Sequence, residues 1–519
     1  MTTRPRRPPR STAAALSACG LLLASCAAVG PYEPPAATGV VPPGAAAVPP
    51  ELRRYYEQPL RWEPCEDAAG FQCATVKAPL DYDRPAAGDV LLTVARRKAT
   101  GTDATRIGSL LYNPGGPGMS AVTGLADLAD AFPPDVRAAY DLVAVDPRGV
   151  GDSTPVDCAT DSPMTVSGSG MITSTVPAEF GDAFAEYRDL AAACERHAGR
   201  LLPHVGTMDT ARDMDVVRAL LGDDRLNYLG HSYGTYLGAT YAELFPSRVG
   251  RMVLDGAVDP SLDAYGTYLA QAHGYQVAWE AFAADCATLP DCPVGHSVAE
   301  AARTLDTLVA DLNTSPLKLG KDTTVTGDAF IDVVITALLG AAWDDLRETL
   351  RLVMTRDGTA LQPEDGAVEE DPGVEEDPGV ALQSFLAVDC LSATRGPRLS
   401  AAQAEAALPE YLRASPQFGR AYATQLTRCA SWPVPPNQFP HRVTASGAAP
   451  ILVVGTTGDP ATPYDQARAL AGQLASGRLL THDGEGHGAY IIAGNTCVDA
   501  AVDRYLIDGR LPAAGTVCA

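Results

Sequence analysis

Leu226-Asn-Tyr-Leu-Gly230-His-Ser232-Tyr-Gly234-Thr-Tyr-Leu-Gly238 reads as a buried strand, a very tight turn and the start of a helix. In the pattern Gly-x-Ser-x-Gly, the glycines remove Cβ atoms that would collide where a strand turns abruptly into a helix. The strained turn then holds the serine hydroxyl out at the end of a sheet. The motif alone is weak, and Gly295-His-Ser297-Val-Ala299 is a near miss that lacks both the second glycine and a preceding strand. Context favours Ser232. An apolar run precedes Gly230, and Thr235 to Phe245 carries apolar residues at helical spacing up to Pro246. Ser232 is therefore a candidate nucleophile, the bland alternative being a Gly-rich turn with an incidental serine.

Similar units flank this stretch. Asp89 to Ala95 alternates like a strand, and Ile107 to Tyr112 runs into Asn113-Pro-Gly115-Gly116-Pro-Gly118. Such a loop can offer amide hydrogens to an oxyanion or can simply be a flexible turn. Tyr140 to Asp146 is a further apolar strand, Thr210 to Leu221 has the capping residue and spacing of a helix, and Val249 to Leu254 leads into Asp255. Strands followed by loops and helices make a mostly parallel α/β sheet the economical architecture.

Between about Ser261 and Pro440 the pattern turns helical. Val298, Ala301, Ala302, Leu305, Leu308, Val309 and Leu312 share one face, and Ala329 to Ala342 reads as a buried helix too short to span a bilayer. Glu369-Glu-Asp-Pro-Gly-Val374 repeats at once as Glu375 to Val380, which reads as a solvated loop without the ligand spacing of a calcium loop. Strand patterning resumes at Pro450 to Val454, ending at Gly458-Asp459. A helix from Tyr464 to Leu474 and a strand from Arg478 to Thr481 precede His482-Asp-Gly-Glu-Gly486-His487-Gly488.

A serine hydroxyl needs an imidazole to take its proton and a carboxylate to hold that imidazole in the right tautomer. The order Ser232, Asp459, His487 is that of an α/β hydrolase. His482 competes with His487, and Asp255 competes with Asp459; glycine flanks favour His487, and a position one strand-helix unit earlier favours Asp459. Asp146 reads as structural.

Composition limits the partners. A net charge of −24 over 519 residues argues against nucleic acid. Arg4, Arg6, Arg7 and Arg10 precede an apolar run from Ala13 to Ala24, and Leu23-Ala24-Ser25-Cys26 resembles a bacterial lipobox. The expected divisions are a signal peptide over 1–25, a Pro/Ala-rich tether over 26–50, core segments over 51–260 and 441–519, and a helical cap over 261–440. The protein is expected to be exported and either anchored to the membrane by lipid on Cys26 or secreted. A polyproline-like tether at about 3.1 Å per residue reaches on the order of 70 Å. Of the 12 cysteines, setting aside Cys19 in the leader and Cys26 leaves ten. Neighbour pairing is the simplest arrangement: Cys65 with Cys73, Cys158 with Cys194, Cys286 with Cys292, Cys390 with Cys429 and Cys497 with Cys518. Metal-binding spacings are missing and no cofactor is expected.

The ordered set Pro114-Gly-Gly-Pro-Gly118, Asp146-Pro-Arg-Gly-Val-Gly-Asp-Ser153, Gly230-His-Ser-Tyr-Gly234, Leu254-Asp-Gly256, Gly458-Asp-Pro-Ala-Thr-Pro463 and Gly486-His-Gly488 resembles the secreted tripeptidyl aminopeptidases of actinomycetes. The resemblance runs from about Cys65 to Cys518. It implies an α/β-hydrolase fold with a large helical cap inserted between the strands that precede Asp255 and Asp459. Ser232 would be the nucleophile, Asp459 and His487 its partners, and the backbone amides of Gly116 and Tyr233 an oxyanion hole. Related enzymes often carry His where this chain has Pro114. The implied activity is release of short fragments from free peptide N-termini, with a cap carboxylate on the substrate's ammonium; Asp344, Asp345 and Asp389 are candidates between which the sequence does not choose. An esterase or amidase is the alternative, and a silent binding protein on the same scaffold a third reading.

Overall fold

Ten strands form one sheet, and their order explains how residues far apart in sequence reach one edge. The computed structural model describes residues 48–66, 68–159, 164–166, 172–174, 180–319, 323–356, 378–392 and 398–519. The leader, Cys26, the tether through residue 47 and the acidic tandem through residue 377 lie outside them. The strands are β1 (Glu63–Pro64), β2 (Gln72–Pro79), β3 (Asp89–Arg97), β4 (Gly108–Asn113), β5 (Tyr140–Val145), β6 (Leu226–His231), β7 (Val249–Asp255), β8 (Ile451–Gly458), β9 (Gly477–Glu485) and β10 (Val517–Cys518). Their spatial order is β1-β2-β3-β5-β4-β6-β7-β8-β9-β10. The first three pairings are antiparallel, and every pairing from β5 onward is parallel.

β4, β5 and β6 are buried along their whole length. Continuous apolar runs of this kind are what a parallel sheet covered on both faces requires. One face packs on helices Thr207–Leu220 and Tyr233–Leu244, where Val217, Leu237 and Tyr241 meet Tyr228 and Leu254. The other packs on helices Ala121–Leu128, Pro134–Ala139 and Thr496–Asp508, with Leu125, Val136 and Val502 against Leu142, Leu229 and Val454.

Some boundaries differ from the sequence expectation. The helix expected at Thr210 begins at Thr207 after Gly206, because the Thr207 hydroxyl is bonded inside the protein, to Tyr233 Oη at 2.8 Å and Ser392 Oγ at 2.6 Å. β9 extends through Glu485, so His482 lies within the strand. The serine of the near-miss motif, Ser297, caps helix Val298–Thr314 by accepting from the Glu300 amide.

Between β7 and β8 the chain builds a layer of helices with a core of its own. Tyr275 stacks on Tyr422 at 5.6 Å, Trp279 packs on Phe282 at 5.3 Å, and Leu305, Ile335, Leu350 and Phe418 complete the cluster. A short antiparallel hairpin, Leu317–Leu319 with Thr323–Val325, interrupts the helical pattern. Helix Pro378–Leu391 starts within the second acidic repeat, so that repeat's last three residues are helical rather than loop. All five cysteine pairs expected from neighbour pairing are disulfides. Disulfides in this number belong to an oxidising compartment. No helix among the described residues is long and apolar enough to cross a membrane.

Candidate active site

The turn after β6 is as tight as its glycines suggest. Ser232 sits at φ 55°, ψ −124° as the N-cap of helix Tyr233–Leu244, a conformation that costs a non-glycine residue on the order of 1–3 kcal/mol and clusters at functional sites. A Cβ on Gly230 would lie 2.5 Å from the Gly234 carbonyl oxygen, and one on Gly234 would lie 2.8 Å from that of Asn113. The strain is held from several sides. Ser232 N–H donates to the Asp255 carbonyl at 2.9 Å, its own carbonyl accepts from the Thr235 amide and hydroxyl at 2.9 and 2.6 Å, and Tyr228 Oη donates to the Gly234 carbonyl at 2.7 Å.

Asp459 follows β8, where the β8–β9 register slips between Thr456 and Gly458. Such an irregularity re-aims the residue at the strand end. The Asp459 carboxylate is buried and accepts from the amides of Ala461 and Thr462 at 2.9 and 2.8 Å and from the Thr462 hydroxyl at 2.9 Å. His487 Nδ1 lies 2.9 and 3.0 Å from its two oxygens. Burial alone would lower the His487 pKa; the charge and hydrogen bond of Asp459 outweigh it, and the imidazole ends above its ordinary value. His487 N–H donates to the Leu339 carbonyl at 2.8 Å, tying the histidine loop to helix Gly327–Leu339 of the insertion.

The rival residues occupy other positions. Asp255 is fully buried, accepts from the amides of Ala489 and Tyr490 at 2.9 and 2.8 Å, and faces His231 Nε2 at 3.3 Å. It thus braces the loop that carries His487 from behind. Burial raises its pKa, but the His231 contact and the two amides lower it further, below the usual carboxylate value. His482 is buried beside Thr456 Oγ1 at 3.2 Å, with its pKa lowered by burial. Asp146 accepts from Ser120 Oγ and the Val122 and Asp152 amides, ordering the loop after β5.

The glycine loop after β4 closes over the turn. Gly115 at φ 109° approaches so closely that a Cβ would lie 2.7 Å from the His231 carbonyl oxygen and 2.8 Å from Ser232 Cβ. A Cβ on Gly118, at φ 84°, would lie 2.5 Å from the Phe385 nitrogen, so this loop also touches the insertion.

Ser232, His487, Gly116 and Tyr233 line one cavity of about 260 Å³, and the insertion adds part of its wall: Tyr268, Gln271, Phe385, Asp389, Tyr422 and Arg428. Asp389 is buried there, 3.6 Å from Arg428 Nη1. Its neighbouring sulfurs are joined in the Cys390–Cys429 disulfide. Asp344 and Asp345 are not in this wall. Both are exposed in the first turn of helix Trp343–Thr355, and Asp344 pairs with Arg347. The sequence offers Asp389 only as one of three cap carboxylates and does not single out Tyr268, Phe385 or Arg428. Their helical spacing resembles ordinary core, and only the insertion's fold turns them toward Ser232.

Comparison with known proteins fits this geometry. Residues 415–518 match the family model described as "TAP-like protein". The serine protease Hip1 of Mycobacterium tuberculosis is 35% identical over 483 residues, covering 89% of this chain and 91% of that protein. The chain belongs to this family of serine hydrolases. The tripeptidyl aminopeptidase of Streptomyces lividans is 33% identical over 483 residues, covering 89% of this chain and 86% of its own. Carboxylesterase B of M. tuberculosis is 37% identical over 533 residues, covering 96% of each chain. The scaffold is that of an α/β hydrolase.

Proposed function

We propose that the protein is an exported serine aminopeptidase that releases short, tripeptide-sized fragments from free peptide N-termini. The observation that carries this reading is the shared cavity, lined both by Ser232 and His487, whose imidazole rests on Asp459, and by Asp389, a buried carboxylate of the insertion. Ser232 Oγ attacks the scissile carbonyl while His487 takes the hydroxyl proton. The amides of Gly116 and Tyr233 stabilise the oxyanion, and His487 then protonates the leaving amine as the C–N bond breaks. Water, deprotonated by the same imidazole, cleaves the resulting acyl ester and frees Ser232. Asp459 stays ionised and orients the imidazole.

Asp389 is the carboxylate suited to hold the substrate's ammonium, since Asp344 and Asp345 are solvent-exposed away from the cavity. A helical layer over the catalytic edge restricts entry to chain ends. The lipobox-like Leu23-Ala24-Ser25-Cys26 supports a lipid anchor on Cys26, and the disulfides agree with export.

A second reading, ester hydrolysis, is favoured by the relative called Carboxylesterase B, because one triad serves both reactions. The deciding assay compares three reporters: a tripeptide with a free N-terminus, the same peptide acetylated, and a short-chain ester. The peptidase reading expects the free peptide to be cleaved at least about a hundredfold faster than the acetylated one, the size of an uncompensated buried charge contact. Equal cleavage of the two peptides removes the exopeptidase claim, and turnover of the ester alone establishes the second reading.

A further inference from the structure

Two buried arginines of this protein are satisfied very differently. Arg148 is fully buried, and its guanidinium makes five hydrogen bonds: two to Asp213 and one each to the carbonyls of Pro79, Leu80 and His204. That is the saturation a structural buried guanidinium requires. Arg428 is only 5% exposed, yet its Nε and Nη1 have no hydrogen-bond partner among the described residues. Asp389 Oδ2 is 3.6 Å from Nη1, too far for a hydrogen bond, and the rings of Tyr268 and Phe385 lie 4.6 and 5.1 Å from the guanidinium carbon. Arg428 also lines the cavity that contains Ser232.

We propose that Arg428 determines specificity by receiving the side-chain carboxylate of an acidic first residue, Asp or Glu, of the substrate. This rests on the aminopeptidase reading, with Asp389 on the substrate's ammonium. Apart from the imidazoles of His231 and His487, Asp389 and Arg428 are the charged side chains among the described residues lining the cavity, and their charges cancel. A bare ammonium entering this site adds one uncompensated positive charge to a poorly solvated space. An N-terminal Glu or Asp adds one charge of each sign, so ammonium meets Asp389 and carboxylate meets Arg428 in an alternating array. The unsatisfied guanidinium then acquires the charge-assisted hydrogen bonds that it lacks in the free enzyme. A purely structural Arg428 would give no advantage to an acidic substrate.

The test measures kcat and KM of the full-length protein for Glu-Ala-Ala, Gln-Ala-Ala and Ala-Ala-Ala reporters, in the natural sequence and in Arg428→Gln and Arg428→Lys. The natural protein should favour Glu over Gln by tenfold or more in kcat/KM, mainly through KM. Arg428→Gln should bring that ratio to about one, and Arg428→Lys should keep part of it. A Glu-to-Gln ratio of one or less in the natural protein overturns the inference even if neither variant folds, and so does a ratio that survives Arg428→Gln. Cleavage of Ala-Ala-Ala without a preference for Glu leaves the aminopeptidase reading standing while this inference falls. Failure to cleave any of the three removes both.

Discussion

His487 is held on Asp459 by a carboxylate whose two oxygens are already fixed by two amides and one hydroxyl. Asp459→Asn keeps the shape but replaces one acceptor oxygen with a donor, which turns the imidazole to the wrong tautomer. A loss of about 10⁴ in kcat with little change in unfolding midpoint is expected. The raised pKa of His487 has its own consequence. The base must be neutral, so activity should climb as pH rises through that pKa, placing the acid limb above the ordinary histidine value of about 6.5. A kcat/KM profile with its acid limb below that value contradicts the assignment of Asp459. At this scale the sequence offers Ser232, Asp459 and His487 in that order, because each follows a run of strand residues beside a glycine, and the Asp459 carboxylate lies on His487 Nδ1. The preference between Asp459 and Asp255 was harder to read, since both follow apolar strands. The β8–β9 slip and the Ala489 and Tyr490 amides separate their positions, and neither leaves a local sequence signal.

The glycine loop after β4 and helix Pro378–Leu391 meet at Gly118 and Phe385 without room for a methyl group. Gly118→Ala must also hold a left-handed φ of 84°. It should cost about 1–3 kcal/mol and push the loop and the insertion helix apart. Urea unfolding together with KM for the tripeptide reporter checks this: a stable variant with unchanged KM would show that the contact does not shape the substrate wall. Apart from the two-residue strand Val517–Cys518, the parallel strands were legible as elements because apolar runs end at Gly, Asp, Pro or a polar loop. The strand Gln72–Pro79 carries Lys77 and a terminal Pro79 and lies near the sheet's antiparallel edge, so its signal is weak. The start at Thr207 was obscured because a buried hydroxyl contact to Tyr233 extends that helix by tertiary packing, overriding the capping preference of Thr210.

Across the whole molecule, the insertion supplies what the sheet lacks: a second core, a wall for the cavity and a brace on the histidine loop through Leu339. Its helical character was legible, whereas its inward face was not, because a residue lining a cavity and a residue packed in a core share the same spacing. The Cys390–Cys429 bridge closes 39 residues of sequence and joins the neighbours of Asp389 and Arg428. Replacing both cysteines with serine should lower stability by about 2–4 kcal/mol and raise KM for the free tripeptide more than for an ester. Equal effects on both substrates would show that the bridge does not hold the substrate wall. The central claim is that the strained turn makes Ser232 the nucleophile, and covalent trapping tests it most directly. A fluorophosphonate probe followed by peptide mapping should give one adduct per chain, on Ser232, and Ser232→Ala should abolish both the adduct and turnover, the latter by roughly a millionfold. An adduct on another residue, or full activity in Ser232→Ala, would contradict it.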